Sequence, residues 1–292
     1  MSACTPITDE LVNSFAPVRD KTSHKNDFGH ALICAGSKYM TGALMLATES
    51  ALRSGTGLVT AFAPDEALLP LKINCPCALT CAWEEDVAGT LRKADGLLNK
   101  VSSVAIGPGL DESDPRSKAL AEEFILNAET LVIDAGALNI IAKYREEMLP
   151  VLATRTKRGL KPAVLTPHVG EMRRLLKDEV THEACAKFAA DNACVLVLKD
   201  NKTLIYTPHD TWYSIQGDNS GMAKGGSGDV LTGLTAGFLA QGIEPCNAGV
   251  AAVYFHAEAG KLAASLVGER YMLPTDVIDE LAMAFEDTEW QG

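Results

Sequence analysis

Short apolar runs alternating with amphipathic stretches, a late group of closely spaced strand-like segments, and a row of glycine-rich turns predict an α/β chain. Its sheet is expected to be mostly parallel, with helices on both faces and an antiparallel edge. Repeated strand–helix units imply parallel pairing, because their crossover helices cover both faces of a sheet. Closely spaced strands with polar turns imply hairpins.

The elements follow in order. Residues 30–35 (HALICA) make an apolar run of strand length. Residues 42–54 place Leu44, Thr48, Ala51 and Leu52 on one helical face, with Thr41 as a candidate N-cap and Gly55 ending the pattern. Strands are expected at 58–63 and 101–106, the second running into Gly107-Pro108-Gly109. Asp114-Pro115 opens a helix with a capping carboxylate and a first-turn proline, and Leu120 and Phe124 face inward. Residues 131–134 read as a strand followed by a helix through Tyr144. Residues 163–166 read as another, followed by a helix over about 170–176. The pattern then changes to three close strands, 194–199, 203–206 and 211–215. Helical patterns at 229–240, 247–265 and 275–285 complete the chain. The middle one is apolar nearly all round, which fits burial in the core or at an interface. With no linker, repeat or low-complexity stretch, residues 1–292 are expected to form a single domain.

Composition limits the function. The chain has 47% apolar and 22% charged residues, the balance of a soluble globular protein. Its 26 basic and 38 acidic residues leave a net charge of −12. Nucleic acid is therefore not an expected partner, since phosphate backbones are neutralised by Lys and Arg. A local anion site stays open, because backbone N–H groups and one lysine can hold a phosphate. No basic-then-apolar leader opens the chain and no apolar stretch reaches membrane-spanning length, so a cytoplasmic location is expected. Of eight cysteines, Cys34, Cys185, Cys194 and Cys246 lie in apolar segments. Cys75, Cys77 and Cys81 form a C-x-C-x3-C cluster that lacks a nearby fourth ligand and departs from zinc spacings.

Ligands of open α/β sheets bind beyond the carboxyl ends of the strands. Five polar turns fall there: Gly36-Ser37, Gly107–Gly109, Asp134–Gly136, Thr166–His168 and Lys199–Asn201. Together they suggest one crevice. The strongest chemical signal is NSGMAKGGSGDVL, residues 219–231. Gly225, Gly226, Ser227 and Gly228 precede a helix start, where unpaired N–H groups make an anion hole suited to phosphate. Asp229 stands where a carboxylate could take a proton from a substrate hydroxyl. Alternatively it serves only to cap the helix. Lys224 is a candidate phosphate neighbour. The G-x4-G-K-[S/T] spacing of a Walker A loop is absent. In TPHVGE (residues 166–171), His168 could touch a polar ligand, and Glu171 could cap its helix or reach magnesium through water. Small Gly42 and Ala43 would let a bulky ligand lie against their helix start.

HKNDFGHALICAGS, AIGPGL, LVIDAGALN, VLTPHVGEMRRLL and MAKGGSGDVLTG, in this order, resemble the ADP/ATP-dependent NAD(P)H-hydrate dehydratase family of the ribokinase-like superfamily. The resemblance implies a ribokinase-like three-layer sandwich. It implies dehydration of the S-epimer of hydrated NADH or NADPH (NADHX, NADPHX), with ADP or ATP as co-substrate, Mg2+ as cofactor and ADP favoured. It implies that Asp229 is the catalytic base and a substrate contact, with Ala43, Gly109 and His168 as further substrate contacts. It assigns Lys199, Asp200, Asn201, Lys202, Thr203 and Gly228 to the nucleotide, and makes Asn139 and Glu171 secondary candidates. A homo-oligomer, a tetramer by family resemblance, is expected. So is a separate epimerase, since no fused epimerase domain is expected in this chain. Departures from the family pattern are Asn26, Asp111, Asp200 and the run Asp218-Asn219-Ser220-Gly221 in place of Gly-Asn-Pro-Gly. Asp200 adds a carboxylate near the expected nucleotide. The alternatives are a small-molecule kinase of the same superfamily and a catalytically silent nucleotide sensor.

Overall fold

The computed structural model of the protein describes residues 4–209 and 212–290. The chain begins with β1 (Thr5–Pro6), α1 (Asp9–Asn13), β2 (His30–Cys34), α2 (Thr41–Arg53), β3 (Leu58–Ala63), α3 (Asp65–Asn74), β4 (Leu79–Ala82) and α4 (Val87–Leu98). It continues through β5 (Ser103–Ile106), α5 (Pro115–Asn127), β6 (Leu131–Ile133), α6 (Ala135–Lys143) and α7 (Arg145–Ala153). Then come β7 (Val164–Leu165), α8 (Val169–Leu176), α9 (His182–Asp191), β8 (Val195–Leu198), β9 (Lys202–Tyr206) and β10 (Trp212–Gln216). Three helices close the chain: α10 (Ser227–Ala240), α11 (Pro245–Val267) and α12 (Pro274–Asp287).

All described strands join one sheet, ordered β1-β10-β9-β8-β7-β6-β5-β2-β3-β4. Pairing from β8 to β4 is parallel, and β9 runs antiparallel to both its neighbours. The expected hairpins therefore form, but β1 adds a further strand outside them by pairing parallel with β10. Thr211, where the third hairpin strand was expected to start, lies outside the described residues.

Strand side chains alternate between two cores, as a period of two requires. In β2, Ala31 and Ile33 join a core with α2, α10, α11 and α12, while Leu32 and Cys34 join one with α5, α6 and α9. The result is three layers. On the first face α10 lies close against α2, because Gly233 and Gly237 present no side chain there. A Cβ at Gly233 would sit 2.0 Å from Ser50 Oγ and 2.1 Å from the Ala47 carbonyl oxygen. This contact fixes the axis of α10, and so the place where its N-terminus opens. Among the described residues, no helix is long and apolar enough to cross a membrane.

Several boundaries differ from the sequence expectation. Thr41 is the first residue of α2 rather than its cap, which is Met40. Helix α10 starts at Ser227, so Asp229 lies in its first turn and the N-cap is Gly226. Prolines Pro245 and Pro274 open α11 and α12, where their missing N–H costs nothing.

Candidate active site

The site is built from strand ends inward. Asp134 follows β6 and is the N-cap of α6, next to Ala135, which holds a left-handed φ of 44°. Such backbone costs of order 1–3 kcal/mol in a non-glycine residue and gathers at functional sites. Lys199 follows β8, and its N–H donates to the Pro167 carbonyl at 2.8 Å. That bond sets it beside His168, with which it forms a single β-bridge.

His168 and Glu171 start α8 by capping each other. His168 Nδ1 accepts from the Gly170 N–H (2.9 Å) and the Glu171 N–H (3.4 Å), while the His168 N–H donates to Glu171 Oε2 (2.8 Å). An accepting Nδ1 leaves the ring proton on Nε2, which stands 3.5 Å from Glu171 Oε1.

Opposite these turns, α10 begins. Gly226 has a φ of +102°, a left-handed conformation open to glycine, and a Cβ there would lie 2.6 Å from Leu46 Cδ1. The Ser227 N–H donates to the Lys224 carbonyl (3.3 Å) and the Val230 N–H to the Gly226 carbonyl (3.2 Å). Among the described residues, the N–H groups of Gly228 and Asp229 have no backbone acceptor. They are unpaired donors at the positive end of a helix, the local chemistry of an anion site. The preceding loop is held by Asn219, which accepts from the Gly221 N–H (2.9 Å) and donates to the Gly260 carbonyl (2.8 Å).

The cation at this helix start is Lys199. A Cβ on Gly228 would lie 3.2 Å from its Nζ. The ammonium pairs with Asp134 Oδ1 at 2.7 Å, and Asp134 Oδ2 accepts from Thr232 Oγ1 at 2.7 Å. Lys224, by contrast, spends its ammonium on the carbonyls of Arg270 and Met272.

Electrostatics singles out Asp229. Burial, helped by the charge of Asp134 and Glu171 and opposed by Lys199, pushes its carboxyl up to about 7. Burial also raises Glu171. His256, on α11, lies near the Ser227 backbone, and burial lowers its imidazole to about 4. It is therefore neutral at pH 7, and its Nε2 is buried without a partner.

These groups line a cavity of about 1130 Å³. Of the residues expected from sequence, His168, Glu171, Lys199, Asp200, Asn201, Thr203, Lys224, Gly226, Ser227, Gly228 and Asp229 line it. Lys202 and Gly225 are exposed and stand outside its lining. Ala43 and Gly109 adjoin each other beyond it, a Cβ on Gly109 falling 2.8 Å from that of Ala43. Asn139 is also outside, bonded to Glu112 and Arg174. Asp134, Thr232 and His256 were not singled out from sequence. Asp134 was visible only as a polar strand-end turn, and His256 only as part of an apolar helix. Among the described residues, no group of three or more His, Cys, Asp or Glu is gathered to hold a metal, the cysteines near 75–81 included.

A profile of the family described as NAD(P)H-hydrate dehydratase matches residues 31–283. The bifunctional NAD(P)H-hydrate repair enzyme of Moorella thermoacetica is 37% identical over 97% of this chain and 54% of its own length. The chain thus spans about half of such bifunctional relatives. The ADP-dependent (S)-NAD(P)H-hydrate dehydratase of Bacillus subtilis is 36% identical over 88% of its length and 87% of this chain. Among the similar solved structures are the following two. A ribokinase-like superfamily protein of Enterococcus faecalis has a TM-score of 0.84 at 25% identity, over 99% of this chain and 97% of that one. The Bacillus subtilis ADP/ATP-dependent dehydratase co-crystallized with ATP/Mg2+ has a TM-score of 0.81 at 28% identity, over 99% of this chain and 100% of that one. The three-layer architecture is ribokinase-like, and the chain belongs to the NAD(P)H-hydrate dehydratase family.

Proposed function

We propose that this chain dehydrates the S-epimer of hydrated NADH or NADPH, using ADP or ATP and releasing AMP or ADP with phosphate. One observation carries the reading. Asp229, a carboxyl pushed up to about 7, sits in the first turn of α10 beside unpaired N–H groups and the Lys199 ammonium. A base tuned near neutral pH, set against an anion hole, suits transfer of a phosphoryl group to a hydroxyl.

In the proposed sequence Asp229 takes the proton of the ring hydroxyl, and the freed oxygen attacks the terminal phosphorus of the nucleotide. The bond to the leaving AMP or ADP breaks. The carbon–oxygen bond of the new phosphate ester then breaks as the ring nitrogen supplies its electron pair. Inorganic phosphate departs, and loss of the neighbouring ring proton restores the reduced nicotinamide. The N–H groups of Gly228 and Asp229, with Lys199, would hold the transferred phosphoryl oxygens. The turn Lys199–Asn201 with Thr203 would hold the nucleotide, whereas Lys202 lies outside the cavity lining. Asp200, whose Oδ1 accepts from the Asn201 N–H at 2.8 Å, would stiffen that turn. The hydrated cofactor would pass from His168 towards Ala43 and Gly109.

The residues fit magnesium held mainly by phosphate. Glu171 has Oε2 occupied by the His168 N–H, so it would reach the ion through water. When bound, the ion would offset the phosphate charge.

A reducing, cytoplasmic setting is supported by eight free cysteines. A homo-oligomer, proposed as a tetramer, is supported by the exposed apolar residues Leu266 in the last turn of α11 and Tyr271 and Leu273 just before α12. An epimerase outside this catalytic centre would supply the S-epimer.

The test is incubation with NADHX, Mg2+ and either ADP or ATP, following absorbance of the reduced nicotinamide and phosphate release. Recovery of both is expected. Nucleotide consumption with another alcohol only, or binding without turnover, would overturn the reading.

A further inference from the structure

Asp134 is 1% exposed at its side chain, and both its oxygens are occupied, one by Lys199 and one by Thr232. Buried carboxylates of this kind are weak stabilising devices, because desolvation offsets most of the attraction. The arrangement makes sense through the lysine instead. The start of α10 carries the positive end of the helix dipole, an unfavourable neighbour for an ammonium. Lys199 nevertheless lies against Gly228, in space that a side chain there would crowd. A fixed negative charge must hold it, and Asp134 is that charge. The ion pair uses one of three N–H groups. Among the described residues, the other two have no protein acceptor.

We propose that Asp134 is a positioning residue that touches no substrate: anchored by Thr232, it holds the Lys199 ammonium at the first turn of α10. Lysine and helix N–H groups then converge on one terminal phosphate of a nucleotide. The inference deepens the dehydratase reading and rests on it for the reaction, though not for nucleotide binding. A second consequence follows for the base. Asp229 is faced by Asp134 from the end of β6, Lys199 from β8 and Glu171 from α8, while His256 on α11 faces Lys199. Neutralising Asp134 leaves Lys199 less opposed, so Asp229 should ionise at lower pH.

The test uses Asp134→Asn and Thr232→Val in the full chain, with ADP/Mg2+ affinity by calorimetry and the pH profile of kcat/KM. Asp134→Asn should weaken ADP binding roughly tenfold or more, the scale of a charge-assisted hydrogen bond. It should also move the acidic limb of the profile to lower pH. Thr232→Val should weaken ADP binding in the same direction by less, with little movement of the limb. Unchanged ADP affinity in folded Asp134→Asn protein, with an unmoved limb, would overturn the proposal. If Asp134→Asn does not fold, wild-type ADP affinity in Thr232→Val overturns it as well. Should the wild type bind ADP but fail to dehydrate NADHX, the functional reading fails; weakened ADP binding in the variants then still supports the positioning role.

Discussion

Asparagine at position 229 keeps the shape of the side chain and removes its titration, so Asp229→Asn separates what the carboxylate does for turnover from what it does to the fold. In the folded chain the group ionises near 7; in the unfolded chain it does so near 3.9, the ordinary value for aspartate. At about 1.4 kcal/mol per pH unit, that gap corresponds to at most about 4 kcal/mol. The direction is fixed by linkage. Below about pH 4 both states hold the proton, and the group costs the fold nothing. From about pH 4 to 7 the unfolded carboxyl ionises while the folded one does not, so stability drains away. Above about 7 the folded carboxylate is charged too, and the loss levels off. Asparagine escapes all of it. At roughly 2 °C per kcal/mol for a chain of this size, the variant should melt up to about 8 °C above the wild type at pH 8. Near pH 4 the two should melt together. Turnover should move the other way. The wild-type kcat/KM should fall about tenfold per pH unit below about 7, as a base with that value loses its ionised form. The variant should be nearly inactive at every pH, while calorimetry still shows nucleotide binding. A melting gap that is flat from pH 4 to 8, or near-normal turnover, would refute the assignment of Asp229 as a buried base.

Two predictions concern the frame of the site. Gly233→Ala places a methyl 2.0 Å from Ser50 Oγ where α10 meets α2, and should cost about 1–3 kcal/mol or more by overpacking. Thermal unfolding reads it, and an unchanged melting point would show that the two helices are not pressed together as described. Arg155→Met removes a fully buried guanidinium that donates to the carbonyls of Phe124, Ile125, Ala128, Glu129 and Lys161. Each buried carbonyl left unpaired costs about 1–3 kcal/mol, so the urea midpoint should fall sharply at unchanged slope. An unmoved midpoint would mean that water replaces the arginine.

What could be read from the sequence was what lies close together along the chain. The apolar runs of β2, β5 and β8 stood out because strands buried on both faces need no polar alternation. Helix α5 announced itself through Asp114-Pro115, and Asp114 does accept from the Arg116 N–H. Helices α3 and α7 were missed because Pro70 and Pro150 interrupt them, and β1 has only two residues. The same limit applied at the site. The loop over 219–231 is contiguous and legible, whereas Asp134 meets Thr232 across 98 residues and Lys199 across 65. No spacing rule spans such contacts. Lys224 looked like the phosphate lysine because it precedes the glycines. In the fold its ammonium turns back to the segment before α12, and Lys199 arrives from the far side of the cavity.

The net charge of −12 then takes on a local meaning. The cavity itself is not basic: Asp134, Glu171, Asp200, Asp218, Asp229 and Glu269 line it with only three lysines. One of those lysines, Lys199, is already paired with Asp134, and another, Lys224, is tied to backbone carbonyls. A polyanion could not be drawn into such a space by excess positive charge. The burial that makes it poor in countercharge also keeps Asp229 protonated until near pH 7, which removes a repelling charge from the helix start. Partial burial likewise lessens the screening of the dipole and N–H groups of α10, which strengthens them. Phosphate recognition and base strength therefore come from the same desolvation. A substitution that opened this helix start to water should weaken both together, even with every polar side chain kept.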